Sequence, residues 1–284
     1  MDQINLKGWE GRTASLTGHV SAMQAAMIHA TLPGRSGPAP REGDPLPQLW
    51  HWCAFPPLAA TEDLGRDGHT RLGDFLPPVA LDRRMWAGGA LTFHAPLRVG
   101  EPIRRQSKLL SVEEKDGASG PMIFVTVTHE IHGPRGLAIH ERQDIVYLQI
   151  PESYRPPRAI PAPQSPSFSR DIAMSAPLLF RYSAVTFNAH RIHYDLPYAT
   201  GIEHYPGLVV HGPLQATLLI DAATRWRGEP PAAFRFRGVH PLFHTDDLRL
   251  MGTPGTGQND GALDLCTVAP AGHQGMQATA RWLD

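Results

Sequence analysis

From Pro151 to Ser169 the chain reads PESYRPPRAIPAPQSPSFS, a run with six prolines and little apolar periodicity. Proline lacks a backbone N–H and has a fixed φ, so such a run avoids helix interiors and central strands and lies as an extended, semi-rigid connector. It divides the 284 residues into a first unit at 1–150, a linker at 151–170 and a second unit at 171–284. The whole chain is ample for a buried core.

Each unit follows one plan, helix before sheet. In the first, SLTGHVSAMQAAMIHATL, residues 15–32, is expected to form a helix with a packing stripe at Val20, Met23 and Met27. A Pro/Gly loop at 33–47 follows, and then Leu49–Leu58, rich in Trp and Phe, reads as an edge strand or a pocket wall. Met85–Phe93, Ile103–Glu113, Met122–His132 and Ala138–Leu148 alternate in the manner of antiparallel strands, broken by DGASGP and GPRG turns.

In the second unit Phe180–Val185 reads as an alternating strand that breaks into a polar loop carrying Asn188, His190 and His193. A helix is expected from His211-Gly212-Pro213 to about Trp226, because proline suits the first helical turn and Leu214, Leu218 and Ala222 recur four residues apart. Strands follow at 233–240, 247–251, 261–269 and 275–283. Arg235 and Arg237 alternate with phenylalanines, which fits either a solvated face or contact with a phosphate-bearing ligand.

Several function classes fall away on charge and composition. A formal charge of −1 without like-charge runs gives no nucleic-acid footprint. No apolar run reaches membrane length, and the N-terminus lacks the basic-then-apolar order of a signal peptide. Cys53 and Cys266 form no metal spacing and read as reduced thiols, so a cytoplasmic protein is expected.

From HRIHYD to VVHGPL the chain resembles the hydratase-type hot-dog proteins, the MaoC-like family of (R)-specific enoyl-thioester hydratases and dehydratases. More closely it resembles the branch with mesaconyl-C4-CoA and itaconyl-CoA hydratases and the type 2 3-hydroxyacyl-thioester dehydratases, where FRYSAxTFNxHRIHYD recurs. RRMWAGGALTFHAPLRVGE in the first unit looks like a degenerate partner repeat. The resemblance implies an α+β fold, a tandem double hot-dog, with each antiparallel sheet wrapped around one long helix. It also implies a hydro-lyase that adds water reversibly to a 2-enoyl thioester. The acyl-CoA, or an acyl-carrier-protein thioester, is its substrate, and no further cofactor or metal is expected. The open sheet edges leave room for a homodimer.

The family motif has an aspartate five residues before its histidine. On this chain the histidine is His193, the aspartate position holds Asn188, and the motif asparagine is replaced by His190. An amide cannot accept a proton as a carboxylate does, so His193 is the expected base and Asn188 an orienting group for water. His190 or Asp195 either fixes the tautomer of His193 or supplies the missing basic function. The Gly212 N–H, at a helix start, is the expected donor to the thioester oxygen. Tyr205 and His204 belong to the loop expected over the acyl group, and His211 reads as a helix-start residue. Arg191 and Arg181 are the candidate partners for a substrate carboxylate. His190-x-x-His193-x-Asp195 is a conceivable metal set, but not on the uninterrupted helix such motifs use. The first unit is expected to lack catalytic residues. Two rivals remain, a hot-dog acyl-CoA thioesterase and a non-catalytic subunit that binds acyl-thioesters.

Overall fold

The protein is described from a computed structural model over residues 5–117 and 120–283. The tip of the expected DGASGP turn, 118–119, lies outside the described residues. Ten strands form one sheet in the order β1-β3-β4-β5-β2-β7-β10-β9-β8-β6, all neighbours antiparallel. The first-unit strands are β1 (Thr13–Gly18), β2 (Arg83–Phe93), β3 (Ile103–Gly117), β4 (Gly120–Gly133) and β5 (Gly136–Leu148). The second unit contributes β6 (Phe168–Ile172), β7 (Ala233–Gly238), β8 (Leu248–Pro254), β9 (Ala262–Val268) and β10 (Gln274–Arg281). The two sets meet at a single seam, β2 against β7, with Gly88 opposite Arg237 and Thr92 opposite Ala233. A side chain at Gly88 would lie 2.6 Å from the Phe236 carbonyl oxygen, and one at Gly89 2.8 Å from that of Arg142. Gly88 therefore lets β2 close on β7 at the seam, and Gly89 lets it close on β5.

Among the described residues four α-helices accompany the sheet: α1 (Ala22–Thr31), α2 (Ala176–Thr186), α3 (Leu196–Gly201) and α4 (Gly212–Arg227). The expected stripe of α4 is the buried one, with Leu214, Leu218 and Ala222 at 0%, 3% and 6% exposure, packed on β7–β10. Each such leucine contributes about 1.5–3 kcal/mol on burial. Gly228, at φ 87°, ends the helix in the left-handed conformation.

Three local expectations are corrected. Phe180–Val185 is not a strand; it lies in α2, started by Ser175, whose Oγ accepts the Leu178 N–H at 3.3 Å. Its buried residues, Leu178, Leu179, Tyr182, Ser183 and Val185, follow helical spacing rather than alternation. Residues 15–32 are not one helix, because β1 occupies Thr13–Gly18 and Ser21 caps a shorter α1. That start turns Ala25 and Ile28 inward and leaves Met23 73% and Met27 46% exposed, so the expected stripe survives only at Val20, ahead of the helix. Leu49–Leu58 contains a 3₁₀ turn, Trp50–Ala54, that buries Trp50, Cys53 and Ala54 as a wall of the core.

The proline run from 151 onward forms no helix or strand until β6 begins at Phe168; its one pairing is a bridge between Pro161 and His273. Cys53 and Cys266 are buried and free. Among the described residues no helix is long and apolar enough to cross a membrane.

Candidate active site

The break after α2 begins at Phe187, a non-glycine residue at φ 51°, which turns the chain out of the helix. Asn188 then accepts the His190 N–H on Oδ1 at 3.0 Å, a local turn that fixes the loop. Arg191–His193 forms a 3₁₀ turn, and Asp195 caps α3 by accepting the Tyr198 N–H at 3.1 Å. This local geometry delivers His190 and His193 inward, at 5% and 7% exposure.

His193 lies against the start of α4. Its Nδ1 bonds the Val209 carbonyl at 2.7 Å, so Nδ1 carries the hydrogen and Nε2 keeps its lone pair. Burial drives the ring's pKa down to about 4, although the Val209 bond works the other way, so His193 is neutral at physiological pH. The expectation that Asp195 fixes this tautomer meets a different partner: the Asp195 carboxylate is held by Arg191, at 2.9 Å from Nε and 2.8 Å from Nη2. Arg191 also reaches the Arg66 carbonyl at 3.1 Å and covers the Tyr198 ring, which occupies it structurally. Arg181 is exposed on α2.

His211, fully buried, stacks on His193 with ring centroids 3.7 Å apart and planes at 19°. Its Nε2 meets the Ser183 hydroxyl at 2.8 Å. The following residue, Gly212, opens α4, and among the described residues no carbonyl accepts its N–H. A side chain there would sit in ordinary van der Waals contact with Met276 at 3.8 Å and with the Trp86 carbonyl at 3.9 Å, so no atom crowds the Gly212 backbone. Tyr205 is buried, with its hydroxyl 3.8 Å from the Met85 sulfur and its ring under Arg83.

The row of imidazoles continues in the other direction into the first unit. His190 lies 5.3 Å from His193 and 4.1 Å from His69, centroid to centroid. His69 pairs with Asp67, Nδ1 to Oδ2 at 2.7 Å. The loop bearing this pair is stitched to the histidine loop, since the Arg191 N–H donates to the Asp67 carbonyl at 2.9 Å. Gly68, at φ +89°, sits so close to Ala189 that a side chain would be 1.9 Å from its carbonyl oxygen. Sequence reasoning missed Asp67, His69 and the nearby Arg84, whose charge acts on His69, Asp67 and His190. It had placed no chemistry in this unit.

Among the described residues the group that converges as a potential metal site is Asp67, His69 and His190, with donor atoms within 4.8 Å of one another. It is not the set His190, His193 and Asp195, because Asp195 turns to Arg191. Arg235 and Arg237 lie on the outer sheet face, bonded to Asn259 and Gln277, in a groove of about 960 Å³ that contains none of the four histidines of the row.

The sequence model for hydroxyacyl-thioester dehydratase type 2 matches residues 49–244. The chain belongs to that family. It is thus an enzyme of the hydratase/dehydratase lyase class within the MaoC-like hot-dog proteins. The family resemblance extends to a mesaconyl-C(4)-CoA hydratase of Chloroflexus aurantiacus, 43% identical over 281 residues and covering 98% of both chains. A mitochondrial hydroxyacyl-thioester dehydratase type 2 of Schizosaccharomyces pombe is 28% identical over 71% of this chain and 75% of its own. A solved MaoC-like dehydratase superposes with TM-score 0.70 at 15% identity, covering 98% of this chain and 100% of its own. A Mycobacterium tuberculosis protein described as a double hot-dog superposes at 0.61 with 12% identity, covering 95% of each chain. The type 2 dehydratase family member described here therefore has the tandem hot-dog fold, its histidine row lying between the two units.

Proposed function

We propose that the chain is an acyl-CoA hydratase whose 2-enoyl thioester bears a carboxylate on the β-carbon, as mesaconyl-C4-CoA does. The observation that carries this is the end-to-end 43% identity to a mesaconyl-C(4)-CoA hydratase. A cation beside the histidine row supports it: among the described residues Arg84 forms no ion pair within 4 Å, yet its charge is felt at His69 and His190. Arg84 replaces Arg191 and Arg181 in the role of carboxylate partner.

In hydration the water oxygen bonds to the β-carbon, the π pair moves toward the α-carbon and thioester oxygen, and the α-carbon takes a proton. His193 Nε2, with its lone pair free, holds the water in line for attack. Asn188 acts through the loop it fixes and His211 by backing the His193 ring. The Gly212 N–H receives the thioester oxygen as charge develops there, aided by the α4 dipole. The thioester itself acidifies the α-proton, so the reaction calls on no cofactor beyond the CoA of the substrate. The two units, divided at the proline run, work as one enzyme in the cytoplasm. A homodimer formed through the free β1 or β6 edge completes the proposal.

Loss of absorbance at the enoyl-thioester band tests the function directly. Wild type is expected to consume mesaconyl-C4-CoA in preference to crotonyl-CoA or a longer 2-enoyl-CoA, and His193→Ala to consume none. Arg84→Gln should raise KM for mesaconyl-C4-CoA much more than for crotonyl-CoA. Loss of the band matched by an equivalent release of free thiol would replace the hydratase with the thioesterase, because hydrolysis also destroys the enoyl thioester.

A further inference from the structure

A base that takes a proton from water becomes a cation, and three of the four histidines in the row are poorly placed to carry that charge. His190, His193 and His211 are buried, and burial drives the pKa of His193 to about 4 and the other two well below the usual value. Among the described residues none of their rings bonds a carboxylate; His190 Nε2 and His211 Nδ1 have no partner at all. Asn188 is uncharged. His69 differs in two respects. Its side chain is 24% exposed, and it holds an anion.

We propose that His69 is the catalytic proton acceptor of this site and Asp67 its positioning residue, so that the first unit supplies the acid–base group. This assignment rests on the hydratase reading above. Asp67 grips the residue twice, Oδ2 to the Nδ1 of the ring at 2.7 Å and Oδ1 from the backbone N–H at 3.0 Å. The Nδ1 hydrogen therefore points at the carboxylate, and Nε2 carries the lone pair. As the water oxygen bonds to the β-carbon, one of its protons passes to His69 Nε2 and Asp67 stabilises the imidazolium. The π pair collects on the α-carbon and thioester oxygen. His69 then returns its proton to the α-carbon, so the ring ends neutral and one water has been added. Dehydration runs the same path backwards.

The charged and titratable groups around the pair are consistent with that role. Burial and Arg84 on β2 lower the pKa of His69, and Asp67 raises it. His190 and His193 face it from the loop after α2. Burial works to raise the Asp67 carboxyl, but His69 and Arg84 bring it below its usual value. Glu203 and Tyr198 also face Asp67.

The test is the pH profile of kcat/KM for mesaconyl-C4-CoA in wild type, His69→Gln and Asp67→Asn, with melting temperatures alongside. His69→Gln is expected to lose about 10²–10⁴-fold in kcat with its melting point little changed. Removing the carboxylate that raises the His69 pKa should move the acid limb of Asp67→Asn to lower pH. Added imidazole should restore part of the activity of His69→Gly. The assignment is overturned if His69→Gln keeps its rate within about threefold of wild type, or if Asp67→Asn slows the reaction with its acid limb unmoved. It is equally overturned if purified wild type carries a stoichiometric divalent ion whose removal abolishes activity, since His69 would then be a ligand. An active wild type with an indifferent His69 removes this assignment alone. A wild type inactive on every enoyl thioester removes the hydratase reading together with it.

Discussion

The ion pair between Arg83 and Glu203 should behave as a coupled clamp between the units, destabilising when cut on one side and nearly neutral when removed whole. Arg83 Nε donates to Glu203 Oε2 at 2.6 Å and Nη2 to the Glu203 carbonyl at 2.8 Å, with side-chain exposures of 10% and 1%. Charges about 4 Å apart at an effective dielectric near 20 attract by about 4 kcal/mol, and taking both out of water costs several kcal/mol in return. Glu203 Oε1 has no partner, so the pair carries a defect of its own. Arg83→Met leaves the carboxylate buried alone, for an expected loss of about 3–5 kcal/mol. For a chain of this size that is roughly 6–15 °C in melting temperature. The double variant Arg83→Met/Glu203→Met removes both charges and the orphan oxygen, and should return to within about 1–2 kcal/mol of wild type.

The pH dependence has a definite sign. Burial raises the Glu203 pKa and Arg83 opposes it, so deleting Arg83 raises the carboxyl further. A folded-state pKa raised above the unfolded value favours the native state at low pH and loses that support as pH rises through it. The deficit of Arg83→Met relative to wild type should therefore be largest near pH 8 and shrink toward pH 5, other titrations cancelling in the difference. Urea midpoints of wild type, Arg83→Met, Glu203→Met and the double variant at both values measure it. Single variants that cost under about 1 kcal/mol, or a double variant that costs their full sum, would refute the reasoning.

Glu141 makes the opposite prediction: burial would raise its pKa, but the bond and charge of His51, with help from His129 and Gln143, bring it down to about 2. The stability it contributes is present above the unfolded carboxyl pKa of about 4.3 and is lost as pH falls toward 2, so acid titration followed by tryptophan fluorescence should lose a step in Glu141→Gln. Gly68→Ala places a side chain 1.9 Å from the Ala189 carbonyl at φ +89°. Beyond about 1–2 kcal/mol for the left-handed backbone, it should push the Asp67–His69 loop off the histidine row and lower kcat/KM more than tenfold.

The strands that bury one face were legible in the sequence, and so was α4, because alternation and the spacing of Leu214, Leu218 and Ala222 report burial directly. Phe180–Val185 misled because aromatic and β-branched residues suit strands locally. The decisive signal was Ser175 with Pro177, an N-cap and a proline in the first helical turn, just upstream. β1 escaped because TASLTG is an exposed edge strand with no apolar face to announce it. At the site, HRIHYD marked His190 and His193 and held the Arg191–Asp195 pair, while the partner of His193 is a backbone carbonyl that no motif encodes. RDGHT gave still less. Asp67 and His69 meet His190 only because Gly68 lets two loops remote in sequence touch, a long-range fact without local periodicity.

That docking changes what the first unit contributes. Arg83 clamps the loop before Tyr205, Arg84 faces the histidines, the Trp86 carbonyl lies beside Gly212, and Asp67 and His69 complete the imidazole row. Backbone contacts set this arrangement: the β2–β7 seam, and the hydrogen bond from the Arg191 N–H to the Asp67 carbonyl. Backbone registry fixes relative position more tightly than flexible side chains can, and misplacement by about 1 Å costs roughly 10²-fold in rate. Substitutions at the seam, far from any reacting atom, should therefore affect kcat before they affect folding. A first unit that served only to house the acyl chain would show the reverse order.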